Sequence, residues 1–235
     1  MRPTRRRWRY LAPPLGLALA GVAGWGAYAA TTWLRFDGPR EDAAGDPAMQ
    51  RYMPRFDIAE VHRIRVAAPA AATYDAARAM DLNRSGIVRA IFRAREVLLG
   101  AHAPPRPAHL PLVDEMLSLG WGVLEEVPGD HVVLGAVTQP WQADVVFSAL
   151  PPAAFAAFDS AGYVKIAVTF AADAVGPRES VFRTETRALA TDARSRERFR
   201  RYWSVFSPGI PLIRTRTPSL ARREAERAAM QGRRP

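Results

Sequence analysis

Lys165, within YVKIAVTF (163–170), is the residue whose type invites chemistry first. It is the only lysine in a chain with 33 Lys and Arg residues. An amine that attacks a carbonyl or takes a proton at neutral pH must be desolvated, because burial lowers its pKa. Alternation along a strand puts Val164, Ile166, Val168 and Phe170 on one face and Tyr163, Lys165, Ala167 and Thr169 on the other. The first set is the apolar one, so Lys165 is expected on a solvated face. In the next strand, SVFRTETRALA, Arg183, Glu185 and Arg187 share the face opposite Phe182, Thr184 and Thr186. The two charged faces align, which gives Lys165 a cross-strand partner at or near Glu185, worth at most about 1 kcal/mol.

Other candidate chemistry is sparse. His62, His102, His109 and His131 are the four histidines, none in HxH, HExxH or i,i+4 spacing, and there is no cysteine. No metal centre, thiolate nucleophile or disulfide is expected. His131 follows a hairpin turn and reads as an exposed turn residue. Glu125 and Glu126 stand side by side in LEEV (124–127), so on a strand they face opposite sides and cannot share a proton; both read as solvated acids. GxSxG, P-loop and GxGxxG patterns are absent, which argues against acyl hydrolysis and nucleotide binding. No catalytic residue and no cofactor is assigned. TQPWQAD (138–144) places Trp141 after Pro140, where it either lines a cavity mouth or packs as a corner residue. Arg95 and Glu96 are expected on a helix surface.

These residues need elements to position them. DIAEVHRIRVAAP (57–69) reads as a strand ending at a proline. Alanine-rich AAATYDAARAMDL (70–82) places Tyr74, Ala77 and Met80 at helical spacing. A second helix follows over 83–100, then a proline-rich loop and a short helix, LVDEMLSLG, ending at Gly120. The period then changes to two. WGVLEEV and HVVLGAVTQ are joined by PGD (128–130), a hairpin signal. DVVFSAL (144–150) reads as a further strand, PPAAFAAFD as a single helical turn, and GYVKIAVTF with SVFRTETRALA as a long antiparallel pair. DARSRERFRRYWSVF (192–206) is an amphipathic helix with Phe199, Tyr202, Trp203 and Phe206 on one face and arginines opposite. SLARREAERAAM (219–230) reads as a further helix or a frayed tail.

Charge is unevenly placed. Of the net +10, residues 1–10 contribute five arginines without an acid, and residues 192–235 contribute twelve arginines against four acids. The stretch 11–191 is therefore slightly acidic, a pattern that favours anionic membrane surfaces over a nucleic-acid groove. From 11 to 34 there is no charge, enough residues for a transmembrane anchor, with a cleaved signal segment as the alternative. Arginines before this segment and acids after it place residues 1–10 in the cytoplasm and the domain outside it. Residues 35–56, rich in Gly, Pro and acids, read as a linker. On the polar face of the helix expected over 192–206, Arg194, Arg198 and Arg201 form a candidate membrane-surface patch.

One strand, two helices, five or six antiparallel strands and the amphipathic end helix RFRRYWSVF (198–206) form an order that resembles the helix-grip fold of the START-like (SRPBCC) superfamily, over 57–206. The fold class expected is α+β. The resemblance implies a curved antiparallel sheet wrapped around the last helix, enclosing a cavity for an apolar or lipid-like molecule. Trp141, Tyr163, Phe199, Tyr202 and Trp203 are the residues expected to contact it. Two further possibilities stay open: a cyclase- or hydrolase-like enzyme in the same cavity, and a ligand-free interaction module at the membrane surface. Residues 207–235 form a basic extension.

Overall fold

The structure is a computed structural model that describes residues 12–34, 36, 38–41, 45–81, 100, 110–206 and 210–231. The helix expected over 83–100, with Arg95 and Glu96, lies outside the described residues except for Gly100, as do the stretch holding His102 and His109 and the basic flank 1–10.

The core is a six-stranded sheet in which every described pairing is antiparallel. Its strands are β3 (Ile58–Val66), β4 (Gly122–Val127), β5 (His131–Thr138), β6 (Phe147–Ser148), β7 (Val164–Gly176) and β8 (Glu179–Ala190). The order is β3-β8-β7-β5-β4, with the short β6 on β5. A two-stranded ribbon joins β1 (Arg40–Glu41) to β2 (Arg55–Phe56). The expected hairpin at 128–130 is present, with Gly129 at φ +82, a value that side chains with a Cβ rarely adopt. The strand expected over 144–150 shrinks to two residues.

Helices cover both faces of this sheet. On one lie α3 (Ala70–Ala79), α4 (Leu112–Ser118), α6 (Ala193–Phe206) and α7 (Ile210–Gln231). Tyr74, Ala77 and Met80 are buried there, as their spacing requires, against Val132, Leu134, Val168, Phe170 and Phe182. Short helices α2 (Pro47–Tyr52) and α5 (Pro152–Ala157) cover the other face, over Val133 and Ala167. Residues 45–56, expected within a linker, thus belong to the packed body: Met49 and Met53 are fully buried. Asp46 starts α2 by accepting the amides of Ala48 and Met49, with Pro47 in the first turn where no amide is needed.

The uncharged segment forms α1 (Ala12–Leu34). Among the described residues no helix is long and apolar enough to cross a membrane, so the expected transmembrane span is not supported. Glycine, threonine and the Pro13–Pro14 pair dilute its leucines and valine.

Candidate functional site

The amphipathic stripe of α6 builds an aromatic cluster at one end of the sheet. Phe199 is buried, with Phe36 edge-on at 6.0 Å, Trp203 at 5.8 Å and Tyr202 stacked at 6.5 Å between ring centroids. Trp141, half-buried, packs against the same cluster, and its indole N–H is buried without a hydrogen-bond acceptor. Beneath lie Ile58, Val164, Ala188 and Ala190. Four of the five expected contact residues therefore meet. Tyr163 does not: its strand parity matches Lys165, and its ring meets Phe158 edge-on at 5.7 Å, on the opposite side of the sheet.

Two arginines of α6 fix the helix. Arg196 donates from Nε to Asp57 Oδ1 (2.8 Å), while Asp57 Oδ2 accepts the Ala190 amide (2.7 Å). Arg200 donates to the Trp33 carbonyl from Nε (3.1 Å) and Nη2 (2.8 Å), and its guanidinium lies 4.0 Å from the Trp33 ring centroid. That carbonyl, at the end of α1, also accepts the Phe36 amide at 3.4 Å, and the cation beside it complements the helix dipole. At the start of α6, Asp192 accepts from the Ser195 amide and hydroxyl and from the Gly162 amide, which hold its carboxyl below the ordinary range. Arg194, Arg198 and Arg201 stand on the exposed stripe, as expected; Arg201 pairs with Glu197 at 3.0 Å, and Arg198 lies over the Trp141 ring.

The opposite face holds what the sequence reading placed in solvent. Arg187 is completely buried; its Nε donates to Glu185 Oε1 (2.5 Å), its Nη1 to the Met53 carbonyl (2.7 Å), and it lies over the Phe56 ring. Its Nη2 has no acceptor and abuts Gly45, where a Cβ would sit 2.0 Å away. Glu185, also buried, accepts the Asp46 amide at 3.0 Å. Arg183 joins Asp46 to Asp173. The charged faces of β7 and β8 do align, with Ala167 opposite Arg187 and Thr169 opposite Glu185, but α2 and α5 cover them. The available signal was size: the small residues Ala167 and Thr169 stand directly opposite Arg187 and Glu185.

Lys165 corrects a second expectation. It is buried, its cross-strand neighbour is Leu189, and its Nζ donates to the Ala156 carbonyl (2.9 Å) at 5.1 Å from the Phe155 ring centroid. Desolvation lowers its pKa, opposed by the charge of Asp159.

Glu125 and Glu126 do face opposite ways, as their adjacency requires, yet neither is simply solvated. Glu125 takes Arg51, the Tyr52 hydroxyl (3.0 Å) and His131 Nε2 (3.2 Å), and Arg51 chiefly pulls its pKa down to about 2. Glu126 takes the Tyr74 hydroxyl (2.5 Å) and Arg78 (2.9 Å), which lower its pKa, while burial foremost raises that of Tyr74. His131 is accordingly a paired residue, bridging Glu125 and Asp130. No group of three His, Asp or Glu that could hold a metal ion occurs among the described residues. No protein-family model and no curated protein matches the chain.

Proposed function

We propose that this protein is a membrane-attached α+β module that binds the apolar part of a lipid-like molecule at the aromatic cluster beside α6, in the manner of a START-like helix-grip domain. The observation that carries this reading is the Trp141 indole N–H, buried among aromatic rings without an acceptor. A buried donor left unpaired costs roughly 1–3 kcal/mol, a cost that an ester or carbonyl oxygen of a ligand relieves. Stacked and edge-on rings supply apolar area at low entropic cost. The element order supports the helix-grip assignment; the covered second sheet face is a departure from it.

Attachment rests on α1. It carries no charge, and Trp25, Tyr28 and Leu34 are exposed on it. Such a surface calls for lipid or apolar protein around it. Arg194, Arg198 and Arg201 would meet anionic headgroups, each adding about 1 kcal/mol near the surface.

The test is native mass spectrometry of the full chain released from mild detergent, with extraction of anything bound. A discrete added mass that extracts as lipid is expected, and Trp203→Ala is expected to lower its occupancy in a folded protein. A second reading is a ligand-free interaction module, favoured by Phe199 being sealed at 1 % exposure. A clean apo mass with no uptake from added lipid extract would establish that reading instead. The buried carboxylates of Asp46, Asp57 and Glu185 are each held by an arginine and a backbone amide, so no observation favours the enzyme reading.

A further inference from the structure

Helix α5 is attached to the sheet by little. Across residues 151–157 every side chain is exposed except Phe155, which is fully buried. Among the described residues, the one polar tie from the sheet is the hydrogen bond from Lys165 Nζ to the Ala156 carbonyl. Pro151 precedes the helix and Pro152 opens it; after it Phe158 is extended and residues 159–161 are exposed. This is a six-residue flap with one anchor.

The anchor sits in a slot built for a ring. Met49, Met53, Leu124, Val133 and Ala167 surround Phe155. Its depth depends on Gly135, a glycine inside the strand between β4 and β7. A Cβ there would lie 3.0 Å from Phe155 Cε2 and 2.6 Å from Leu124 Cδ1. Glycine weakens a strand interior, so its presence marks a place where something must approach closely. At the rim stands Lys165. Its ammonium has three N–H donors, one of them given to the Ala156 carbonyl; among the described residues no carboxylate lies within ion-pair distance, and the charge of Asp159 acts on it from farther off. The remaining donors face a ring and a desolvated wall.

We propose that α5 is a lid, and that its Phe155 ring plugs a slot that takes the aryl or alkyl group of a small organic carboxylate, with Lys165 as the counter-ion once the Ala156 carbonyl has swung away. A carboxylate fits because the site offers one compact cation and one narrow apolar slot, where a phosphate would call for several donors. The site lies on the opposite sheet face from the aromatic cluster and is independent of it.

The probe is 4-phenylbutyrate, with 4-phenylbutyramide as the uncharged control, titrated by calorimetry into the full chain. Because the plug competes for the slot, Phe155→Ala is expected to bind the carboxylate about tenfold more tightly than the unaltered chain. Lys165→Met is expected to abolish the preference for carboxylate over amide. Phe155→Leu serves as a milder plug should the alanine variant not fold. In the unaltered chain, acetylation of Lys165 by an N-hydroxysuccinimide ester, read by peptide mass, is expected to slow when 4-phenylbutyrate is present. Equal binding of acid and amide, or Lys165 acetylation unchanged by the acid, overturns the proposal.

Discussion

Arg187 and Glu185 are two residues apart on β8, point the same way and are both buried. Their pairing costs desolvation on both sides, so its presence says little about net stability, but its halves are not separable. Arg187→Met leaves Glu185 with only the Asp46 amide and is expected to destabilise the fold by about 3–5 kcal/mol, measured by urea unfolding. The double variant Arg187→Met with Glu185→Leu is expected to recover much of that loss, since an apolar pair of similar volume carries no uncompensated charge. By strand parity Arg183, Glu185 and Arg187 share a face with Lys165, and from charge alone that face is expected in solvent. That inference fails where a second layer of chain lies over the face and each charge has found its opposite.

At the scale of elements, the hairpin of β4 and β5 is tied to α2 through Glu125, Arg51, Tyr52 and His131. Glu125 has its pKa drawn from the ordinary 4.5 to about 2, so the folded state binds the proton less readily than the unfolded chain. Its contribution is complete above the unfolded value of 4.5 and is lost as pH falls toward about 2. Glu125→Gln is expected to flatten stability against pH over that window, checked by denaturant unfolding at a series of pH values. A profile as steep as that of the unaltered chain would place the acid sensitivity elsewhere. The junction of α1 and α6 makes a separate prediction. Removing the charged donor in Arg200→Gln should leave the Trp33 carbonyl with the Phe36 amide alone and raise exchange of that amide roughly tenfold, read by hydrogen–deuterium exchange. The adjacency of Glu125 and Glu126 foretold that they part to opposite sides. It could not foretell that a helix would wait on each.

Across the whole molecule, a single sheet carries two dissimilar cores. The face under α3, α6 and α7 is apolar and aromatic; the face under α2 and α5 mixes small residues, buried ions and one amine. The two faces support two independent ligand proposals that can be tested separately.

Periodicity in the sequence determined the helices at 70–79 and 193–206, the hairpin turn at 128–130, the long β7–β8 pair and which residues share each face. These are local properties, set by side-chain geometry within a few residues. Spacing along α6 puts Phe199, Tyr202 and Trp203 on one face; that Trp141 meets them was implied only by the resemblance to the helix-grip fold, and strand parity keeps Tyr163 apart. Which face meets solvent was decided by tertiary structure alone. Residues 45–56, which by composition resemble a linker, and the proline-flanked turn at 152–157 cover the charged face. Burial depends on what lies above a strand, and no period within the strand records it.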